Sequence, residues 1–358
     1  MKSKRLKRLT DTLSGEGRLP YCISSLINIQ YLTGFQGTAA CLIVNEGESF
    51  FISDSRYEEY ARSILPRSLE FVLQTSTLAH SIREVMKRLD SRRLFLEEHS
   101  LTLSSYLLLK KELRGITLKP GGDAVNHLRL TKDDNEIAAL KKAAAITDRC
   151  VSHLLSMIRP GITEWDVAVE IEYFYRTNGC RKTSFDSIVA SGSNSSMPHY
   201  TTSPTKRIQR GDILLIDMGC VYDSYNSDLT RTIFVNSIEP EFKRIYEIVR
   251  QAQEKAIDRA RPGVLTGTLD GMARDHITQA GYGDAFGHSL GHGVGLEVHE
   301  LPAVRSAGDV RLRKNMVITI EPGIYLPERG GVRIEDMVLI TPHGCEVLTR
   351  SSKKMTVV

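Results

Sequence analysis

Five residues between positions 213 and 338 have the side chains of a metal centre. They stand in separate, ordered motifs, namely Asp217 in LLIDMG, Asp228 in YNSDLTRT, His292 in GHGVG, Glu321 in ITIEPG and Glu335 in GVRIED. Four carboxylates and one imidazole make a hard, oxygen-rich ligand set that suits Mn, Co, Fe or Zn. Two divalent cations would balance the four carboxylates, whereas one cation would leave buried negative charge uncompensated. These residues therefore predict a two-metal hydrolase centre.

The first two acids fall on a predicted β-hairpin. The apolar strand ILLIDMG (213–219) contains Asp217, and SDLTRTIFV (227–235) is the returning strand, with the turn near Asp223. This hairpin places Asp217 and Asp228 opposite each other, or one step apart, on the same face. Two facing acids repel each other without a cation. Asp228 could instead face solvent, but Asp217 would then be buried alone in an apolar strand, which favours metal binding.

Three histidines lie within GHSLGHGVGLEVHE (287–300). His288 and His292 have the i, i+4 spacing of helical ligands, but the glycines around them argue against a helix and for a chain that approaches something closely. His292 is the predicted ligand, and His299 is available for acid–base or electrostatic work. His199, in IVASGSNSSMPHY, is equally compatible with a functional and a structural role.

The last two acids lie on predicted strands. Glu321 ends MVITI just before a Pro-Gly pair, and Glu335 lies within VRIEDMVLI, where Arg333 alternates onto the same face. An acid beside Pro-Gly could be only a turn residue. The other ligand candidates in the chain favour metal binding for both acids.

Two domains are expected to position these residues. Residues 116–134 contain a Pro-Gly-Gly turn followed by a charge cluster, which predicts a domain boundary. Before it, short apolar runs alternate with helical patterns, as in a small α/β domain with a mixed sheet. The predicted strands are 41–44, 49–53, 69–73 and 93–98, and the predicted helices are 56–64, 79–89 and 102–113.

After the boundary, a pair of helices recurs. Arg159, Pro160, Gly161 and Gly179 recur 102 residues later as Arg261, Pro262, Gly263 and Gly281. Four identities at one offset indicate an internal duplication, although Pro-Gly is a common helix stop and chance is an alternative. Two such halves would bring ligands from both sides to a central cleft.

Composition excludes several classes of protein. A net charge of +4 over 358 residues gives no case for nucleic acid, and the basic start MKSKRLKRL predicts a solvated helix face. No apolar run follows it, so no secretory signal is expected, and no stretch approaches the ~18 apolar residues of a membrane span. The six cysteines form no CxxC pair, which argues against a zinc ribbon or disulfide scaffold and favours the cytosol.

Residues 128–358 resemble the metallopeptidases with the pita-bread fold, a group that includes aminopeptidase P, prolidase and methionine aminopeptidase. SDLTRT, SLGHGVGLEVHE, ITIEPGIY and GVRIEDMVL carry the resemblance. Residues 1–127 resemble the creatinase-like N-terminal domain of the prolidase and aminopeptidase P branch, through NIQYLTGFQGTAACLIV and SDSRYEEYA. Methionine aminopeptidases normally lack that domain, and creatinase lacks the metal carboxylates. The expected fold is therefore α/β, with a mixed-sheet N-terminal domain before a pita-bread domain built from pseudo-twofold duplicated halves.

The resemblance also implies a role for each site residue. All five ligands match the family pattern, with Asp228 and Glu335 bridging two divalent ions, manganese being the first expectation and cobalt, zinc or iron the others. A hydroxide held between the ions would be the nucleophile. Glu321 would act as general base, and His299 would help stabilise the oxyanion. The expected substrate-binding residues are His199, His288, Tyr325 and Arg333, with His199 also counted among the catalytic residues.

The expected activity is removal of the N-terminal residue from peptides with proline at position 2. YLTGFQGTAA favours an Xaa-Pro aminopeptidase, and prolidase, the Xaa-Pro dipeptidase, is the alternative. A pita-bread protein reduced to a non-catalytic binding module is a third possibility, but such relatives usually lose ligands. The resemblance further implies a homodimer, and a cytoplasmic protein without nucleic-acid or membrane partners is expected.

Overall fold

The structure, a computed structural model, describes residues 2–358. The chain divides into two compact units, of which the first ends at Arg129 and the second spans Leu130–Val358. Among the described residues, no helix is long and apolar enough to cross a membrane.

The first unit is built on a six-stranded mixed sheet of order β4-β3-β2-β1-β5-β6. Its strands are β1 (Tyr21–Ile23), β2 (Cys41–Val44), β3 (Ser49–Ser53), β4 (Leu69–Leu73), β5 (Arg93–Leu96) and β6 (Thr117–Pro120). Its helices are α1 (Lys2–Gly15), α2 (Leu26–Thr33), α3 (Glu58–Ile64), α4 (Leu78–Arg88), α5 (Leu103–Glu112) and α6 (Ala124–Arg129). The predicted hairpin between β2 and β3 is present, and the pairings of β4 and β6 are parallel, which makes the sheet mixed as expected.

The second unit contains two pairs of long helices and several small sheets. The helices are α7 (Asp134–Met157), α8 (Glu164–Thr177), α9 (Pro240–Arg259) and α10 (Thr266–Gln279). The strands before α9 are β7 (Lys182–Thr183), β8 (Ile188–Ser191), β9 (Ile213–Met218), β10 (Cys220–Tyr222), β11 (Tyr225–Asn226) and β12 (Leu229–Phe234). Those after α10 are β13 (Gly291–Gly293), β14 (Glu300–Val304), β15 (Val317–Ile320), β16 (Gly323–Leu326), β17 (Gly330–Arg333), β18 (Asp336–Ile340) and β19 (Cys345–Val347).

The second unit repeats one arrangement twice. In the first half α7 and α8 precede the antiparallel order β8-β9-β12, and in the second half α9 and α10 precede the order β13-β15-β18. The repeated Arg-Pro-Gly segments make equivalent contacts. The N–H groups of Gly161 and Gly263 donate to Ile208 O and Leu312 O at 2.8 Å. The expected duplication is therefore present in the backbone.

Each half has its own apolar core. α7 and α8 bury one face against β8, β9 and β12, through residues such as Leu154, Ile171 and Leu214. The second core packs α9 and α10 against β15 and β18, through residues such as Ile245 and Ile318. The strands that carry the acids are thus backed by helices on the side away from the acids.

One predicted strand is divided in two. VRIEDMVLI (332–340) was expected to be continuous, but β17 pairs with β16 and β18 pairs with β15, and Glu335 lies in the gap between them. The Glu335 N–H donates to Thr230 O at 3.2 Å, and its carbonyl accepts from Arg231 Nη1 at 2.6 Å. These hydrogen bonds replace strand pairing at Glu335, where the chain passes from the sheet of β16 and β17 to the sheet of β15 and β18.

A buried ion pair secures this crossing. Arg231 and Asp336, which are 4% and 0% exposed, lie 2.7 Å apart between Nη2 and Oδ1. Burial alone would raise the pKa of Asp336, but the charges of Arg231 and Lys353 hold it below its usual value. The pair therefore fixes β12 and β18 together next to two of the predicted ligands.

The glycine after α9, Gly263, allows a test of the turn that follows this helix. Gly263 has a φ of 89° and open space around its missing side chain, so Gly263→Ala should cost about 1 kcal/mol of unfolding free energy from backbone strain alone. Gly271, inside α10, also has open space, and Gly271→Ala should instead stabilise by about 0.5–1 kcal/mol. Denaturant midpoints of the two variants should move in opposite directions. Equal shifts would contradict a turn that requires a left-handed residue.

Candidate metal centre

Asp217 and Asp228 lie on the hairpin formed by β9 and β12. Asp217 directly faces Thr230, and Asp228 lies two residues before Thr230. The two acids are thus diagonal neighbours on one face rather than directly opposite residues. The turn between them contains Asp223, with a φ of 46°, in the smaller hairpin of β10 and β11.

Glu321 and Glu335 occupy equivalent places in the second half. Glu321 directly follows β15 and Glu335 directly precedes β18, just as Asp217 lies near the end of β9 and Asp228 directly precedes β12. Each half therefore contributes two acids from a corresponding pair of strands, β9 and β12 in the first half and β15 and β18 in the second. The sheet pattern of the repeat explains why four acids so far apart in sequence meet at one place.

His292 lies among these acids. Its Nε2 is 3.3 Å from Glu321 Oε1 and 3.6 Å from Asp228 Oδ2. Its Nδ1 lies 3.0 Å from Gly293 O, to which it donates, and this bond leaves Nε2 directed at the acids. Asp228, His292 and Glu335 offer ligand atoms that all lie within 4.8 Å of one another.

The cluster has too much negative charge for its surroundings. Burial and the neighbouring acids raise the pKa of Asp228 and Glu335 well above the usual carboxyl value. Burial also raises the pKa of Asp217, although the charge of Arg333 partly offsets it. Burial lowers the pKa of His292, but the hydrogen bond to Glu321 and the charges of the neighbouring acids together outweigh burial and raise this pKa to about 9. Added positive charge, from protons or from metal ions, would relieve this repulsion.

The residues fit divalent metal ions. Asp217 Oδ1 is buried and has no hydrogen-bond partner among the described residues, and a cation would satisfy this oxygen. Hydroxyl groups orient two of the other acids, because Thr230 Oγ1 donates to Glu335 Oε2 at 2.7 Å and Thr319 Oγ1 donates to Glu321 Oε1 at 3.2 Å. Sequence reasoning missed both threonines. Their position beside the ligands in SDLTRT and VITIE was the available signal.

A chain of hydrogen bonds connects the centre with three of the predicted substrate-binding residues. Arg333 Nη2 donates to Asp217 Oδ2 at 2.6 Å, and its Nη1 donates to the Tyr325 hydroxyl at 3.0 Å. That hydroxyl lies 3.0 Å from His288 Nε2 and can donate to it, because His288 Nδ1 donates to Ser289 O at 2.8 Å. Burial raises the pKa of Tyr325 to about 12 and lowers that of His288. The three side chains are therefore held as one unit.

The centre opens into a cleft of about 540 Å³. Its lining combines the five ligand candidates with three histidines, Arg333 and several apolar side chains: Asp217, Asp228, His292, Glu321, Glu335, His199, His288, His299, Arg333, Phe185, Ile188, Pro198 and Ala303, together with Asp186, Tyr200, Ser289 and Gly291. The rings of His292 and His299 lie 4.3 Å apart. Tyr325 is the one predicted site residue that does not line the cleft, because it lies behind His288 and Arg333.

Comparison with known proteins places both units. Residues 138–342 match the model of metallopeptidase family M24, and residues 5–131 match the creatinase/prolidase N-terminal domain. A Xaa-Pro dipeptidase of Pyrococcus horikoshii is 38% identical over 99% of each chain. The solved structure of a Xaa-Pro dipeptidase from Bacillus anthracis is 38% identical, with a TM-score of 0.96 over 100% of both chains. That of an X-Pro aminopeptidase from Thermotoga maritima is 35% identical, with a TM-score of 0.89 over 99% of this chain and 100% of the other. The expected fold class, a creatinase-like N-terminal domain followed by a pita-bread domain, is confirmed.

Metal binding should release protons. His292, with a pKa raised to about 9, carries a proton at neutral pH in the metal-free protein, and the raised pKa values of Asp228 and Glu335 also favour bound protons. We expect the affinity for Mn²⁺ to rise with pH by about tenfold per pH unit for each proton displaced. Calorimetric titrations in buffers of different ionisation enthalpy measure the number of protons released. An affinity independent of pH, with no proton release, would contradict this electrostatic account.

Proposed function

The chain belongs to metallopeptidase family M24, and on this premise we propose that it is a metal-dependent peptidase that hydrolyses the bond before proline, acting as a Xaa-Pro dipeptidase. The observation that carries the proposal is the convergence of four acids and His292 on a cleft that also contains His199, His288 and His299. Two of the acids, Asp228 and Glu335, are buried, and Asp217 and Glu321 are half-buried. The names of the relatives favour the dipeptidase over the aminopeptidase that the N-terminal motif suggested.

We assign two divalent ions to Asp217, Asp228, His292, Glu321 and Glu335, with manganese as the first candidate. When bound, they would lower the pKa of a water molecule and polarise the scissile carbonyl. Glu321 is suited to accept the proton of the attacking water. Thr319 bonds to its Oε1, which leaves Oε2 available for the proton. Burial acts to raise the pKa of Glu321, but the hydrogen bond and the charge of His292 act to lower it, and the net shift is downward.

The three histidines outside the ligand set have different proposed roles. His299 stands next to His292, and burial lowers its pKa, so its neutral ring can donate one hydrogen bond to the carbonyl oxygen of the substrate. His288 has both ring nitrogens engaged and can offer only its ring. Together with His199, Phe185 and Ile188, it would form an apolar and aromatic pocket for the proline ring.

A specific observation favours longer peptides and keeps the aminopeptidase as second candidate. A dipeptide brings its own carboxylate next to a centre that is already rich in acids, and a buried carboxylate needs a cation. Among the residues that line the cleft, Arg333 is the only permanent cation. Its guanidinium is already bonded to Asp217, Tyr325 and Pro198. A longer peptide carries no charge at that position.

The proposal has three further parts, which rest on the sequence and, for the oligomer, on the family resemblance. The domain limits are 1–127 and 128–358, the protein acts in the cytoplasm, and it forms a homodimer. A non-catalytic binding module is the alternative that the first experiment would reveal.

A substrate series tests the proposal. The Mn²⁺-loaded protein should cleave Ala-Pro but not Ala-Ala, and EDTA should abolish the cleavage. Cleavage of Ala-Pro-Ala-Ala would instead indicate the aminopeptidase. Comparison of Ala-Pro with Ala-Pro amide measures the effect of the substrate's carboxylate charge. A site without a cation for this carboxylate should cleave the amide at least as well as the acid. Failure to cleave any of these peptides would leave the binding module.

A second test removes one ligand. Asp228→Asn deletes a charge from the middle of the cluster, so we expect loss of stoichiometric metal and of activity, measured by elemental analysis and peptide hydrolysis. Asp223→Asn is the matched control, since it makes the same change on the exposed turn of the same hairpin, where Asn tolerates the φ of 46°. Near-normal turnover by Asp228→Asn would refute the assignment of Asp228 as a ligand.

A further inference from the structure

A buried glutamate outside the centre binds the segment that carries His199. Glu164 is the first residue of α8 and is 0% exposed. Its two oxygens accept five hydrogen bonds of 2.7–3.2 Å from residues 191–203, namely from Ser191 N, Ser191 Oγ, Asn194 Nδ2, the Tyr200 hydroxyl and Ser203 N. One carboxylate thus holds both ends and the middle of a 13-residue segment, which we call the His199 loop (residues 191–203).

The internal repeat shows that the fold itself does not need this carboxylate. Thr266 is the equivalent first residue of α10, 102 positions later. The backbone environments match, because Glu164 N donates to Lys206 O and Thr266 N donates to Val310 O, both at 3.0 Å. Thr266 is also 0% exposed, yet its hydroxyl has no hydrogen-bond partner among the described residues. The same helix start is therefore built without a carboxylate, and Glu164 serves the loop.

The His199 loop reaches the centre at three consecutive positions. Pro198 O accepts from Arg333 Nη1 at 3.2 Å, and Pro198, His199 and Tyr200 all line the cleft. The Tyr200 hydroxyl accepts from Asn194 at 2.8 Å and donates to Glu164 at 2.9 Å. Burial and the bond to Glu164 raise the pKa of Tyr200 to about 12, so this hydroxyl keeps its proton. Hydrogen bonds thus connect Glu164 with Asn194, which precedes His199, and with Tyr200, which directly follows it.

We propose that Glu164 is a positioning residue that fixes His199 against the proline pocket and so determines affinity for the substrate. This inference rests on the proposed function, since it assigns the pocket to proline. Five donors converge on the carboxylate, and the amide of Gln could not accept from all of them, because its NH₂ group would face a donor. A neutral amide should therefore release part of the loop without leaving a cavity.

The kinetic test compares Glu164→Gln with Thr266→Val, which makes a change of similar size at the equivalent position. Glu164→Gln should lower kcat/KM for a Xaa-Pro peptide by roughly 10- to 100-fold, mainly through KM, with metal content unchanged. Thr266→Val should change neither constant. A normal KM for Glu164→Gln would overturn the proposal.

A double-mutant cycle tests whether the effect passes through His199. If it does, Glu164→Gln combined with His199→Ala should be no worse than His199→Ala alone, because the loop then has no histidine to place. Additive losses would show that Glu164 acts by another route and would overturn the proposal. If Glu164→Gln does not fold, Asn194→Ala, which removes one of the five bonds, should show the same increase in KM to a smaller extent.

Hydrogen exchange separates this inference from the proposed function. The amides of Ser191 and Ser203 donate to Glu164, so peptides covering residues 188–206 should exchange faster in Glu164→Gln and not in Thr266→Val. Unchanged exchange would refute the anchor whatever the enzyme cleaves. Faster exchange in a protein that cleaves no proline peptide would refute the proposed function and leave the anchor intact.

Discussion

The concentration of negative charge at the ends of two strand pairs is the constraint on which the second unit depends. Asp217, Asp228, Glu321 and Glu335 are brought together by backbone pairing, and burial makes their mutual repulsion strong. Protons or His292 can relieve part of it. Divalent ions relieve it more completely, and they also satisfy Asp217 Oδ1, which has no partner among the described residues. The charge that destabilises the metal-free centre is thus the source of its affinity for metal.

Charges outside the ligand set keep the acids in place. Arg231 bonds to Asp336 and to the carbonyl of Glu335 where the chain passes from β17 to β18, and Arg333 bonds to Asp217. Each guanidinium is buried and makes several hydrogen bonds, so removal of either would deprive an acid of its closest cation. The positions of the ligands therefore follow from permanent ion pairs as well as from the strands.

The sequence predicted most of what local pattern determines. The apolar runs of β2, β3, β4 and β9 have clear ends, and turn residues such as Asp223 mark the hairpins. The ligand types were visible because an acid inside ILLIDMG needs a reason to be there. The interruption at Glu335 was not visible, since VRIEDMVLI contains no Gly or Pro to mark a break and only the pairing of β17 with β16 divides it.

Contacts between distant segments were beyond the reach of sequence pattern. Glu164 looks like an ordinary acid in the first turn of a helix, a position that acids favour in any case. Its bonds to residues 191–203 depend on how α8 lies against β8. Thr230 and Thr319 are likewise unremarkable strand residues until the partner carboxylates are known. The sequence therefore identified acids that need a binding partner, but it could not identify the side chains, such as Thr230 and Thr319, that bind them.

The two halves differ where they line the cleft. Each carries one histidine in the segment that follows its first strand, His199 after β8 and His299 after β13. The first segment is held by Glu164. The second is held by a buried ion pair between Lys132 Nζ and Glu300 Oε2 at 3.2 Å, directly beside His299. The frame of the repeat places the four acids symmetrically, whereas different buried charges fix the two histidine segments. Under the proposed function, a duplicated frame supplies one histidine to the proline pocket and the other to the carbonyl, because each is anchored independently.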